Sequence, residues 1–347
     1  MTQTEQIGRE ALAERAGLKL PEGVRVRVAE FPGADLERII LFLNRYARPA
    51  QQMGLEMSRR FEENNPQPKR LALVVEDSAG QVVAQGQVGD GGVFSRGDGT
   101  FRTGVRVAPE WRRKGIANAL LEALTEHARA QGATKLVASI RGDEPEGLEF
   151  ARAKGFEEYH RRFDSYIKVD QFDPSGFEDP DEAAAKVGVQ LVPYAALAKE
   201  HGATPESIEA LQRSLYAVIC EASADIPSAE PIHNPPFEAI RGMYFGEKSF
   251  DFDSSIVAMR DGKPVGSTIT TLNDAGVAYT VHTGMLRAER GKGIATALKL
   301  RALRALSEKG VTLYGTTNDE ANAPMRGINR RLGYEPDPPT VQVRKSL

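Results

Sequence analysis

Two short stretches of this chain carry the same chemistry. RRKGIANALL runs from Arg112 to Leu121, and RGKGIATALK runs from Arg290 to Lys299. Each opens on cations, puts glycine just ahead of an apolar helical run, and has no carboxylate until Glu122 in one copy and Glu308 in the other. A helix start exposes unpaired N–H groups and the positive end of its dipole, so it binds anions. Glycine lets a bound group approach the backbone, and a carboxylate there would compete with a phosphate. The spacing therefore predicts two phosphate loops. One comprises Arg112, Arg113, Lys114, Gly115, Ala117 and Asn118; the other comprises Arg290, Gly291, Lys292, Gly293, Ile294, Ala295 and Thr296. A plain helix cap on a solvated cationic turn would explain one copy, but it is the weaker account of both together. Neither copy is a Walker A loop, which needs Gly-Lys-Ser/Thr after a four-residue spacer. Nor is the second copy a dinucleotide fingerprint, because its third glycine position holds Thr296.

The elements that must hold these loops repeat with them. Shifted by 178 places, Gly132 falls on Gly310, Thr134 on Thr312, and Gly155-Phe156 on Gly333-Tyr334. So long a period denotes a duplicated domain and not a solenoid. The chain divides into an N-terminal extension 1–20 that reads as a short helix, a first domain 21–170, an acidic Pro- and Gly-bearing linker 171–188, and a second domain 189–347. In each half a strand and helical segments lead to several strand-like runs, then the long helix behind the phosphate loop, a strand, a helix and a last strand. The expected fold class is α/β: two tandem units, each a mixed, mostly antiparallel sheet flanked by helices.

Composition narrows the function. At 41% hydrophobic and 27% charged residues the chain fits a globular protein with ordinary cores. A formal net charge of -3 gives no electrostatic reason to expect nucleic acid or a membrane surface as partner. Cys220 is the single cysteine, which excludes an internal disulfide and a cysteine-rich metal site; its apolar helical setting suggests a core thiol. The N-terminal residues lack a signal-like apolar stretch and no segment has the length of a membrane span, so the expected location is cytoplasmic. No metal is expected.

The Arg-x-x-Gly-x-Ala pattern at Arg112–Ala117 and Arg290–Ala295 resembles the acyl-CoA pyrophosphate loop of the GNAT acetyltransferase superfamily. The preceding strands VRVAPEW and TGMLRAE resemble that family's splayed strand. NAPMRGINRRLGY, Asn322 to Tyr334, resembles its second cofactor segment. The resemblance covers most of both halves, and is weakest in the early strands and helices that build acceptor sites.

It implies an acetyl-CoA-dependent N-acetyltransferase acting on a primary amine of a small molecule. By position, Val105 and Val107, or Thr283, Gly284 and Met285, offer main chain to the acetyl-pantetheine arm. N–H groups of Arg113, Gly115, Ala117 and Asn118, or of Gly291, Gly293, Ala295 and Thr296, hold the pyrophosphate. The family's base positions fall on Tyr279 and Val281 in the second half, against Phe101 and Thr103 in the first. Strict strand alternation puts Tyr279, Val281 and Thr283 on one face and His282 on the other, and a β-bulge between them would reverse this. Where the family has an acidic tyrosine, Asn329 stands in the second half and Ala151 in the first. Asn318, Asn322 and Asn329 suit the amides of a pantetheine arm; the plainer role is capping, which fits Asn318 and Asn322 better than Asn329 in mid-helix. Because Ile140, Glu144 and Ala151 align with these asparagines, the second half is expected to be the active one. Glu221, Asp225 and Glu247 are candidates for meeting a cationic acceptor. A non-catalytic acyl-CoA-binding regulator and a protein N-acetyltransferase are the alternatives, as a monomer (an internal pseudo-dimer) or a homo-dimer.

Overall fold

The computed structural model describes residues 20–31, 33–202, 204–228, 232–245 and 250–347. The helix expected before Pro21 and the candidate Glu247 lie outside them. The chain divides into two compact units, Met1–Tyr159 with Val341–Leu347, and His160–Thr340. Residues 160–170 thus count with the second unit, and 341–347 with the first, whereas the contiguous blocks read from the sequence are 21–170 and 189–347.

Strand pairing is the reason. In the first unit β1 (Val24–Val28), β2 (Leu71–Asp77), β3 (Val82–Gly89) and β4 (Thr100–Val107) are successive antiparallel neighbours. β5 (Lys135–Arg141) joins β4 in parallel. The next position is taken by the chain's last strand, Thr340–Ser346. The strand that ends the first repeat in sequence, β6 (Glu157–Lys168), pairs from Arg162 to Lys168 with a strand of the second repeat. The equivalent end strands of the two repeats are therefore exchanged.

Helix α1 (Asp35–Arg45) covers one face of the first sheet through Ile39 and Phe42. It is also tied by charge: Arg27 donates to Asp35 at 2.6 Å and to Glu76 at 2.8 Å, and both carboxylates are almost sealed from water. Stranding such a carboxylate without its cation costs about 3–5 kcal/mol. Beyond α2 (Leu55–Asn64), α3 (Ile116–Ala130) covers the other face. It buries Ile116, Ala119, Leu120, Ala123 and Leu124, which recur at the i, i+3, i+4 spacing of one helical stripe. Truncating Leu120 or Leu124, both fully buried, to alanine would cost about 2–5 kcal/mol. α4 (Pro145–Ala153) follows β5.

The second unit adds α5 (Pro180–Ala185), β7 (Gln190–Pro193), α6 (Tyr194–His201), α7 (Pro205–Ala224) and α8 (Phe237–Tyr244). Then come β8 (Ile256–Arg260), β9 (Lys263–Leu272), β10 (Val277–Met285), α9 (Ile294–Glu308), β11 (Leu313–Asp319), α10 (Ala323–Arg331), β12 (Glu335–Pro336) and β13 (Thr340–Ser346). Its strand order is β6-β11-β10-β9-β8-β7, with only β10 and β11 parallel in the run. Helix α9 packs Ile294, Ala297, Leu298 and Leu303 on one face. Helix α7 packs Leu211 and Leu215 against Val257 and Ile269 on the other. Its start is set by Pro205 at the first turn and by Thr204, whose hydroxyl caps the N–H of Ser207. Cys220 on this helix is half-buried, more open than a core thiol.

Candidate active site

Each unit presents the loop foreseen by its glycines. Gly291 and Gly293 have φ of +77° and +80°, and Arg113 and Gly115 in the first unit have +60° and +86°. The same left-handed backbone is thus kept even where an arginine must adopt it, at a cost of about 1–2 kcal/mol. A Cβ on Gly291 or Gly293 would meet no atom within 4 Å, so both glycines serve the turn and leave open space beside it. Neither α3 nor α9 carries an acid in its first turn. Among the described residues, the N–H groups of Gly291, Gly293, Ile294 and Ala295 have no protein acceptor, nor do those of Arg113, Gly115, Ala117 and Asn118. Thr296 differs from expectation, because its N–H turns back to the Gly293 carbonyl at 3.1 Å. The open turn and unspent donors fit a pyrophosphate.

The cations beside the second loop are tethered. Arg290 pairs with Asp225 at 2.8 Å, and Lys292 pairs with Glu289 at 3.0 Å. Arg287 and then Arg290 pull the Asp225 carboxyl down to about 2. Glu221 accepts from the backbone N–H of Arg287 at 2.7 Å. Glu221 and Asp225 thus clamp α7 to the loop and are engaged by cations and backbone of their own, so the acceptor role proposed for them is withdrawn. In the first unit Lys114 lies over the Trp111 ring at 4.5 Å, and Asn118 donates to Glu122.

Just ahead of each loop the sheet opens. β10 pairs in parallel with β11 only from Val277–Leu313 to Thr280–Thr316, and then both strands run on apart. β4 and β5 part after Arg102 and Val137 in the same way. Past these points the facing strand edges do not pair with each other, which leaves backbone groups of Thr283 and Met285, or Val105 and Val107, beside a wedge.

The wedges differ in their walls. β10 carries an extra residue: its register with β9 steps from Thr280–Thr270 to His282–Ile269, leaving Val281 bulged and exposed. β4 has no such step. Upstream of Val281 the repeat therefore slips by one, so that Tyr279 is the structural counterpart of Arg102 and not of Phe101. The bulge also reverses the alternation. Thr283 and Met285 face α9, where the Thr283 hydroxyl meets Thr268 at 2.8 Å. His282 lies on the face of Tyr279, the α7 side, and not on the opposite face as unbroken alternation requires.

On that face the His282 ring packs against Gly284 and Ala222; a Cβ on Gly284 would sit 2.5 Å from Nε2. Nε2 is sealed from solvent and has no partner among the described residues. Burial pushes the imidazole down to about 4, so it is neutral at ordinary pH. The Tyr279 hydroxyl donates to Asp164 Oδ1 at 2.9 Å. Burial, and next the Asp164 charge, raise its pKa far above the usual phenol range. It is a hydrogen-bond donor there and cannot serve as a base.

The asparagines are largely structural. Asn322 caps α10 by accepting from the Met325 N–H at 3.3 Å. Asn329, almost wholly buried, donates to the Asn318 side chain and ties α10 to β11, while its own Oδ1 is sealed and has no partner among the described residues.

In the first wedge Arg106, the counterpart of Gly284, pairs with Glu144, the counterpart of Asn322, at 2.9 Å. Arg112 reaches Glu146 at 3.4 Å. An ion pair thus spans the first opening at positions that Gly284 and Asn322 hold in the second, where these two side chains can form none.

The sequence reading missed the groups supplied by β6. In register with β11, Tyr166 stands beside Gly315 and Asp164 beside Thr317, on the same face as Tyr279. His160 meets Asp319 at 2.6 Å farther along. β6 belongs in sequence to the first repeat, and only its alternation of polar with apolar residues (Asp164, Tyr166 against Phe163, Ile167) hinted at a functional face. Among the described residues no helix is long and apolar enough to cross a membrane, and no group of three His, Cys, Asp or Glu side chains is placed to hold a metal.

Comparison with known proteins bears on both units. The model of the acetyltransferase (GNAT) family matches residues 37–156 and 223–334. An L-methionine sulfoximine/L-methionine sulfone acetyltransferase of Pseudomonas paraeruginosa is 39% identical over 85 residues, which are 24% of this chain and 49% of that protein. Its namesake from Pseudomonas aeruginosa matches equally. The chain spans about half the length of the curated relatives it matches. Among solved structures, a tandem GNAT protein from the clavulanic acid biosynthesis pathway has a TM-score of 0.69 at 22% identity, covering 93% of this chain and 98% of its own. A GCN5-related N-acetyltransferase from Sphaerobacter thermophilus has a TM-score of 0.66 at 20% identity, covering 94% and 97%. These two likenesses are of fold.

Proposed function

The chain belongs to the acetyltransferase (GNAT) family, with tandem GNAT units, and from that premise we propose that it is an acyltransferase that carries an acetyl group from acetyl-CoA to a primary amine of a small molecule, with the second unit as the working site. The observation that carries this reading is the contrast between the wedges. Where Gly284 and Asn322 leave the second open beside unspent loop N–H groups, Arg106 and Glu144 bridge the first at 2.9 Å. The names of the curated relatives, acetyltransferases of L-methionine sulfoximine and L-methionine sulfone, support a small-molecule acceptor.

When bound, acetyl-CoA would supply the thioester carbonyl that the amine attacks, the C–N bond forming as the C–S bond breaks and CoA leaving as a thiolate that solvent protonates. The chain's part is to hold and orient. N–H groups of Gly291, Gly293, Ile294 and Ala295, at the positive end of α9, would hold the cofactor's pyrophosphate. The edge of β10 from His282 to Met285 would offer main-chain hydrogen bonds to the cofactor's arm. His282, neutral and without a competing partner, is the side chain on the acceptor face able to take the amine's proton. Tyr279 stays protonated and orients Asp164. Asn329 and Asn318 fix the far wall of the wedge.

Calorimetry of acetyl-CoA on wild type, Gly115→Glu and Gly293→Glu tests the reading, with circular dichroism as the folding control. One site per chain, lost only with Gly293→Glu, is the expected result. Two sites, or loss with Gly115→Glu alone, would overturn the assignment to the second unit.

A further inference from the structure

Asp164 is the half-buried carboxylate at the mouth of the second wedge that has no cation of its own. It accepts from the Tyr279 hydroxyl at 2.9 Å, and among the described residues no Lys, Arg or His reaches it. Other carboxylates of the unit differ: Asp319 is met by His160, Asp225 by Arg287 and Arg290, and Glu289 by Arg260 and Lys292. Asp164 is level with Thr317, one residue beyond Thr316, where β10 and β11 part.

What flanks it is aromatic. Tyr166, Gly315 and Tyr279 stand side by side on three adjacent strands. A Cβ on Gly315 would lie 2.6 Å from the Tyr166 ring and 2.7 Å from the Tyr279 ring, so only glycine lets both rings lie over this strand. A carboxylate beside two electron-rich rings attracts a compact organic cation, through charge and through the ring faces. Tyr279 spends its hydroxyl on holding the carboxylate, which leaves Oδ2 for a ligand.

We propose that Asp164, with Tyr166 and Tyr279 as walls, is the anchor for the ammonium group of the acceptor. The inference rests on the second unit being the transfer site, and it makes the acceptor an alkylamine that arrives as the ammonium and gives up that proton, to His282 in the reading above, before it attacks. The anchor comes from the exchanged strand, so the second repeat's own contiguous sequence lacks it.

The test is direct binding of n-butylammonium chloride, with n-butanol as the neutral control, to the full chain, followed by calorimetry at low salt. Wild type should bind butylammonium at least tenfold more tightly than butanol. Asp164→Asn should lose that tenfold preference while retaining acetyl-CoA affinity and melting temperature. Equal binding of butylammonium by wild type and Asp164→Asn overturns the proposal, and so does a wild type that does not prefer butylammonium to butanol, a comparison that needs no variant to fold. If acetyl-CoA binds while the ammonium does not, the cofactor reading stands and the anchor falls. If the ammonium binds through Asp164 while acetyl-CoA does not bind, the anchor stands and the transferase reading falls.

Discussion

Lys299 puts the burial argument to a quantitative test. It sits on α9 in the core of the second unit with no exposed surface, and its Nζ has no hydrogen-bond partner among the described residues. Its nearest compensation is two rings, Tyr334 with its centroid 4.8 Å away and Tyr314 at 5.8 Å. Burial pushes the amine down from 10.5 to about 7. The sign follows from which state holds the proton. Above 10.5 the lysine is neutral folded or unfolded, and imposes no charge penalty. As pH falls from 10.5 to 7 the unfolded chain takes up the proton first, so stability drops; below 7 the penalty is complete. A gap of that size, at about 1.4 kcal/mol per pH unit, bounds the penalty near ~5 kcal/mol. Cation–π attraction to the two tyrosines returns about 1–2 kcal/mol to the ammonium. Lys299→Met keeps the stem's volume and removes the charge. It should stabilise the second unit by about 3 kcal/mol at pH 6, and by well under 1 kcal/mol at pH 10.5. Urea unfolding of both proteins at the two pH values reads this as a difference in midpoint. A stabilisation that is equal at both pH values, or a Met variant weaker than wild type at pH 6, would refute the reasoning, because the ammonium would then be paired and not stranded.

Two further outcomes follow from the second wedge. Because burial holds the His282 imidazole near about 4, kcat/KM for an amine should show no inflection from this group between pH 5 and 8, and should fall only as pH drops toward 4; His282→Gln should remove that acid limb while lowering kcat at least tenfold. Deleting the bulged Val281 restores strict alternation and turns Tyr279 away from Asp164. Amine turnover should fall more than 100-fold while acetyl-CoA, held at the loop, still binds in calorimetry.

Much of this protein was legible from residue types alone. A left-handed turn ahead of an amphipathic helix needs glycine and a fixed apolar spacing, and both are local demands written into Gly291, Gly293, Gly115 and the stripes of α3 and α9. The duplication, the α/β class and the left-handed turns ahead of α3 and α9 followed from them. Three features belong to the tertiary structure. The bulge at Val281 depends on how β10 pairs with β9, and one unpaired residue moved His282 onto the face of Tyr279. The exchange of end strands is a choice of partner between two equivalent edges, which no periodicity encodes; it brought Asp164 and Tyr166 to the second wedge from the first repeat. The bridge between Arg106 and Glu144 joins residues 38 apart that look like ordinary surface charges in the sequence. Local conformation is set by neighbours along the chain, and so it can be read there. The chemistry of the wedge is set by which strands meet and by what stands across them, and that was decided only when the chain folded.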